Sequence, residues 1–115
     1  MYSITEQFVK WLGGLGYEAS TFPPATGTEF VTCERTGGGA DSFADHPAMA
    51  VQTWASTEER AEAMANAIRD AALAGPWPYG VTAMRVNSGP YRWYDDATRL
   101  PRYQVVLDVT CIAID

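Results

Sequence analysis

The sequence is 115 residues long, 47% hydrophobic and 19% charged, with 14 acidic side chains against 8 basic ones for a net charge of −6. That is one domain, residues 1–115, able to bury roughly two-thirds of its unfolded surface, and it excludes a disordered chain or two compact domains. No apolar run approaches the ~20 residues of a membrane span, the N-terminus lacks a leader profile, and the basic residues are too scattered for sequence-specific nucleic-acid binding, so a soluble protein folding in a cytoplasm is expected.

Residues 3–16 read as a first helix. Ser3 caps it with Glu6 three positions on, and Ile4, Phe8, Trp11, Leu12 and Leu15 make one apolar stripe. Gly13, Gly14 and Gly16 weaken its end. Pro23-Pro24 and Gly27 mark an extended loop over 17–28. Residues 29–35 read as a strand, with Val31, Cys33 and Arg35 on one face and Phe30, Thr32 and Glu34 on the other. After a Gly-rich turn, residues 48–55 form a second strand, expected to pair with the first as an antiparallel hairpin across a long loop. Ser56 with Glu59 is the expected cap of a helix over 57–74, whose buried stripe is Ala61, Met64, Ala65, Ile68 and Ala72, and Gly75-Pro76 stops it.

Residues 81–87 and 102–113 complete the set as strands, joined by a long aromatic and acidic loop over 88–101. The expected fold is α+β in the order helix-strand-strand-helix-strand-strand. Two helices pack on a mainly antiparallel sheet of four strands or slightly more.

Signals for chemistry are sparse. His46 is the sole histidine, and a metal role would need Asp41 or Asp45 beside it. No Gly-x-Ser-x-Gly elbow provides a hydrolytic nucleophile. Thr36-Gly37-Gly38-Gly39 lacks the lysine and following helix of a phosphate loop and reads as a hairpin connection. Asp95-Asp96 reads as a solvated pair rather than a cation site. Cys33 and Cys111 read as small buried hydrophobes. No enzyme, metal or cofactor is expected. Trp77, Tyr79, Tyr91, Trp93 and Tyr94 exceed what a small core needs, and serve either a protein interface or a lid on this chain's own core.

One combination carries a resemblance. Glu34-Arg35-Thr36-Gly37-Gly38-Gly39 ends a strand, Ala50-Val51-Gln52-Thr53-Trp54-Ala55 follows, and Ser56-Thr57-Glu58-Glu59-Arg60-Ala61 opens an alanine-rich helix. Gly89-Pro90-Tyr91 and Pro101-Arg102-Tyr103-Gln104-Val105-Val106-Leu107 come later. The pattern resembles the small tail-completion or tail-terminator proteins of long-tailed bacteriophages and prophages of high-GC bacteria. The resemblance implies a virion assembly protein, made in the bacterial host cytoplasm and resident in the neck region of the tail. It would form a hexameric ring with itself on the major tail tube protein, stop tube growth and present a head-joining surface to a head–tail connector protein. Neighbouring head–tail connector (stopper or neck) proteins share much of the pattern and stand as the alternative. A small ligand-binding domain or enzyme built on His46 and Asp95-Asp96 is a third reading.

The expected oligomer and partner contacts lie in two loops. Residues 36–47 contribute Gly37, Gly38, Gly39 and Asp41, a segment expected to be mobile until bound. Residues 88–101 contribute Tyr91, Arg92, Trp93, Tyr94, Asp95, Asp96 and Arg99, with Arg102 at their border.

Overall fold

Ser3 caps α1 (Ile4–Gly14) by accepting the Glu6 amide N–H on its hydroxyl, and the stripe turns Ile4, Phe8 and Leu12 inward. Thr57, not Ser56, caps α2 (Glu58–Ala74) by accepting the Arg60 amide. Both hydroxyls precede the helix, and the chain uses the one directly before it. The five residues expected in the α2 stripe are the five that are buried. Gly75 ends α2 at a φ of 73°, a conformation other residues resist.

The computed structural model describes residues 2–93 and 100–112. Its strands are β1 (Ala19–Ser20), β2 (Phe30–Gly37), β3 (Ala44–Asp45), β4 (Ala48–Trp54), β5 (Val81–Arg92) and β6 (Arg102–Ile112). The chain is α+β, as expected, but the sheet is not the mainly antiparallel four-stranded one. It is a mixed, curled sheet of six strands, with β1 parallel to β2 at one edge. The two additions are two-residue strands held by backbone bonds, such as Val31 N–H to the Glu18 carbonyl at 2.8 Å. β2 and β4 pair antiparallel, as expected. β6 carries β4 and then β3 along one edge and β5 along the other. β5 also runs through Gly89 and Pro90 to Arg92, with register shifts between Val86 and Ser88 and between Ser88 and Tyr91 that absorb them. The expected 88–101 loop is shorter by that much.

Both helices pack on one face of the sheet. There Val31, Cys33, Met49, Val51, Val105, Leu107, Val109 and Cys111 meet Phe8, Leu12, Met64 and Ile68 in one core. Cys33 and Cys111 are free and buried, on strands separated by β4. Burial pushes the Cys33 thiol up to about 11, so it is inert at neutral pH. No helix among the described residues is long and apolar enough to cross a membrane.

Candidate interaction surface

Alternation along β2, β4, β5 and β6 sends every second side chain to the face that carries no helix. Two rows cross that face near the Trp54 end of the sheet. In the first, Phe30, Trp54 and Arg102 are cross-strand neighbours. Phe30 and Trp54 stack with ring centroids 5.3 Å apart. The Arg102 guanidinium lies over Trp54 at 4.4 Å and over Trp93 at 5.9 Å, so one cation is held between two indoles.

In the second row Thr32, Gln52, Gln104 and Tyr91 are paired in register across four strands. Trp54 Nε1 donates to Thr32 Oγ1, and Thr32 donates to Gln52 Oε1. Gln52 Nε2 donates to Gln104 Oε1 at 2.7 Å, and Gln104 Nε2 to the Tyr91 hydroxyl at 2.6 Å. Trp54 is only 2% exposed and Gln104 6%, so this end of the face forms a second, smaller packed layer. Its rim stays open, with Trp93 41% and Phe22 70% exposed. A cleft of about 240 Å³ opens between the Thr21–Pro23 segment and the sheet, walled by Trp54, Gln52, Glu34 and Arg102.

The Gly-rich segment lies at the opposite end of the sheet. Gly37 still pairs with Ala48 in the ladder. Gly38 has a φ of 87°, and a Cβ there would run into the His46 carbonyl. Gly39 accepts the His46 amide. Asp41 Oδ1 accepts the Phe43 and Ala44 amides, both at 2.8 Å, while its Oδ2 lies 3.0 Å from His46 Nε2. Arg35 grips Asp45 through both guanidinium nitrogens at 2.6 and 2.8 Å. The Gly-rich stretch thus makes backbone bonds of its own and adjoins a turn closed by Asp41. Gly38→Ala is expected to cost about 2 kcal/mol or more, from the left-handed backbone and the carbonyl clash together. A chemical-denaturation midpoint equal to that of the parent would show that the backbone relaxes freely here.

The Phe43 amide first, then His46 and the Ala44 amide, hold the Asp41 carboxyl down to about 2. A depressed folded value means that the amide bonds to the Asp41 carboxylate are fully present above the ordinary carboxylate value of 3.8 and are lost as pH falls through about 2. The Phe43 and Ala44 amide resonances should therefore shift with a midpoint near that lower value. A midpoint at the ordinary value would mean that the two amides are not bonded to this carboxylate.

The expected contact residues separate accordingly. Gly37, Gly38, Gly39 and Asp41 sit at one end, and Tyr91, Trp93 and Arg102 share the helix-free face at the other. Arg92 points to the opposite side, where it pairs with Glu58 at 3.3 Å. Tyr94, Asp95, Asp96 and Arg99 lie outside the described residues. Of the other loop aromatics, Trp77 donates to the Ala72 carbonyl at the end of α2, and Tyr79 accepts the Tyr2 hydroxyl on its carbonyl.

Sequence reasoning passed over Phe30, Trp54, Gln52 and Gln104 as a cluster, because strand register joins them. It also passed over Phe43, the most exposed large apolar side chain among the described residues at 90%. Its signal was an isolated phenylalanine in Asp41-Ser42-Phe43-Ala44-Asp45.

A second cavity, about 380 Å³, lies at the His46 end and is lined by His46, Arg85, Asp108 and Thr110 among others. Among the described residues, no group of three or more His, Cys, Asp or Glu side chains could hold a metal ion. No known family model and no curated protein matches the chain.

Proposed function

We propose that this protein is a tail terminator of a long-tailed phage or prophage, an assembly protein that forms a ring on the tail tube, stops its polymerisation and provides the head-joining surface. One observation carries the reading beyond the sequence resemblance. The two ends of the sheet are unlike: an aromatic and arginine-bearing rim at one end, a braced turn with an exposed phenylalanine at the other. Unlike ends suit head-to-tail contacts between copies, and a head-to-tail contact closes into a ring when its rotation fits. The acidic surface, −6 per copy, suits complementary surfaces on the major tail tube protein and the head–tail connector protein.

The test is electron microscopy of tails assembled with and without the protein. Overlong tails in its absence, restored to uniform length by adding it, are expected. Uniform but headless tails would assign it to the connector instead, and normal joined virions would remove it from assembly.

A further inference from the structure

Three side chains line up at the His46 end of the sheet. Asp41 Oδ2 lies 3.0 Å from His46 Nε2, and His46 Nδ1 lies 3.3 Å from Thr110 Oγ1. The Asp41 carboxyl, held down to about 2, is ionised at neutral pH and can only accept, so the neutral imidazole carries its hydrogen on Nε2. Nδ1 is then a bare lone pair facing the Thr110 hydroxyl. A hydroxyl bonded to a base whose tautomer is fixed by a third group is the arrangement that activates a nucleophile. Sequence motifs do not reveal it, because Thr110 stands 64 residues from His46. The turn does not need the His46–Thr110 bond for its own attachment. Ala44 and Asp45 already pair with β6, Arg35 grips Asp45, and two amides close the turn on Asp41.

We propose that Thr110 is an acyl-accepting nucleophile, with His46 as its base and Asp41 positioning that base, and that it hydrolyses short thioesters and aryl esters held in the adjoining cavity. His46 and Thr110 both line that space of about 380 Å³, and Ala83, Met84 and Val109 give it an apolar wall. A cavity of about 150 Å³ already accepts a benzene ring, so a short acyl group and its leaving group fit. Arg85 also lines the cavity, but Asp108 matches its charge at 3.4 Å, so it gives a developing oxyanion little help. His46 and Asp41 are half-exposed, which weakens their pairing further. Both facts restrict the substrates to acyl compounds whose leaving group departs readily, and set amides and alkyl esters aside.

The steps balance with water as the second reactant. Thr110 Oγ1 attacks the carbonyl carbon as its proton passes to His46 Nδ1, and Asp41 holds the imidazolium through Nε2–H. The C–S or aryl C–O bond breaks with its electron pair on the leaving group, which takes the proton from Nδ1. A water then gives a proton to Nδ1 and its oxygen attacks the acyl carbon. Thr110 Oγ1 leaves and recovers that proton, releasing the carboxylic acid.

A short-chain alkyl fluorophosphonate and p-nitrophenyl acetate, each incubated with the full chain, test this. The phosphonyl adduct, formed with loss of fluoride, should map by mass spectrometry to Thr110, and p-nitrophenolate release should saturate with substrate. Thr110→Val should abolish both, and Thr110→Ser, a less hindered hydroxyl, should label faster. His46→Gln should slow labelling about a hundredfold or more. Since His46 is the sole histidine, NMR of its ring nitrogens reads Asp41 directly: the hydrogen should sit on Nε2 in the parent and be shared between the two nitrogens in Asp41→Asn. An adduct on another side chain, or none, would overturn the proposal even if a variant failed to fold, because the parent alone decides it. Labelling of Thr110 at the same rate in a folded His46→Gln would also overturn it and leave the imidazole a brace of the turn. None of these outcomes touches the ring reading, which stands or falls on tails.

Discussion

Ile68→Asp is expected to be the most destabilising of the substitutions considered. Ile68 is fully buried at the centre of the α2 stripe, against the helix-packed face of the sheet. A carboxylate there has neither water nor a counter-charge, and such a burial costs about 4–5 kcal/mol or more. Domains of this size are stable by about 5–15 kcal/mol, so the loss takes from about a third of the margin to all of it. Urea unfolding followed by circular dichroism should show either no native baseline or a midpoint moved far down. A parent-like midpoint would mean that this face of α2 does not meet the core.

Trp54→Ala is expected to have the second-largest effect, about 3–5 kcal/mol. The substitution removes the stack on Phe30, the cation–π contact with Arg102 and the hydrogen bond to Thr32 together. Trp93→Ala, which removes a rim residue of the same row, should cost under about 1 kcal/mol, because much of that indole already meets solvent. Paired thermal melts separate the two uses of aromatic residues weighed from the sequence. A large loss at Trp54 with a small one at Trp93 makes the inner indole part of a packed layer and leaves the outer one free for contact. Equal losses would make the whole row a lid on the chain's own core.

Much of the fold was legible because its signals are local. The α2 stripe repeats at helical spacing and ends at Gly75-Pro76, and the helix formed within a residue of its expected start. The cap moved from Ser56 to Thr57 because two adjacent hydroxyls compete and spacing to Glu59 favours the wrong one. β1 and β3 were illegible for a physical reason: two residues cannot show alternation, and their pairing is written in the distant backbones of β2 and β6. Gly89-Pro90 read as a loop, yet a strand with register shifts accommodates both.

The surface was legible by type and not by arrangement. Tyr91, Trp93 and Arg102 were singled out individually, but nothing in the sequence sets Trp54 between Phe30 and Arg102, since that needs the register of three strands. Both faces of β2 are buried at its start, Phe30 through Cys33. A reading that assigns one face to core and the other to solvent misses the second layer.

The Thr32–Gln52–Gln104–Tyr91 row has a direction. Each member from Trp54 onward donates to the next, so the bond dipoles align head to tail across four strands instead of cancelling. Aligned bonds polarise one another, which strengthens each link beyond its isolated value. Both glutamines spend one amide terminus on each neighbour, so flipping either amide alone would set like against like where the two amides meet. The row runs from its β2 side to its β5 side, headed by the Trp54 indole, which can only donate. The chain ends at a phenolic oxygen that has accepted a bond and retains its own hydrogen, making the Tyr91 hydroxyl a sharpened donor at the rim.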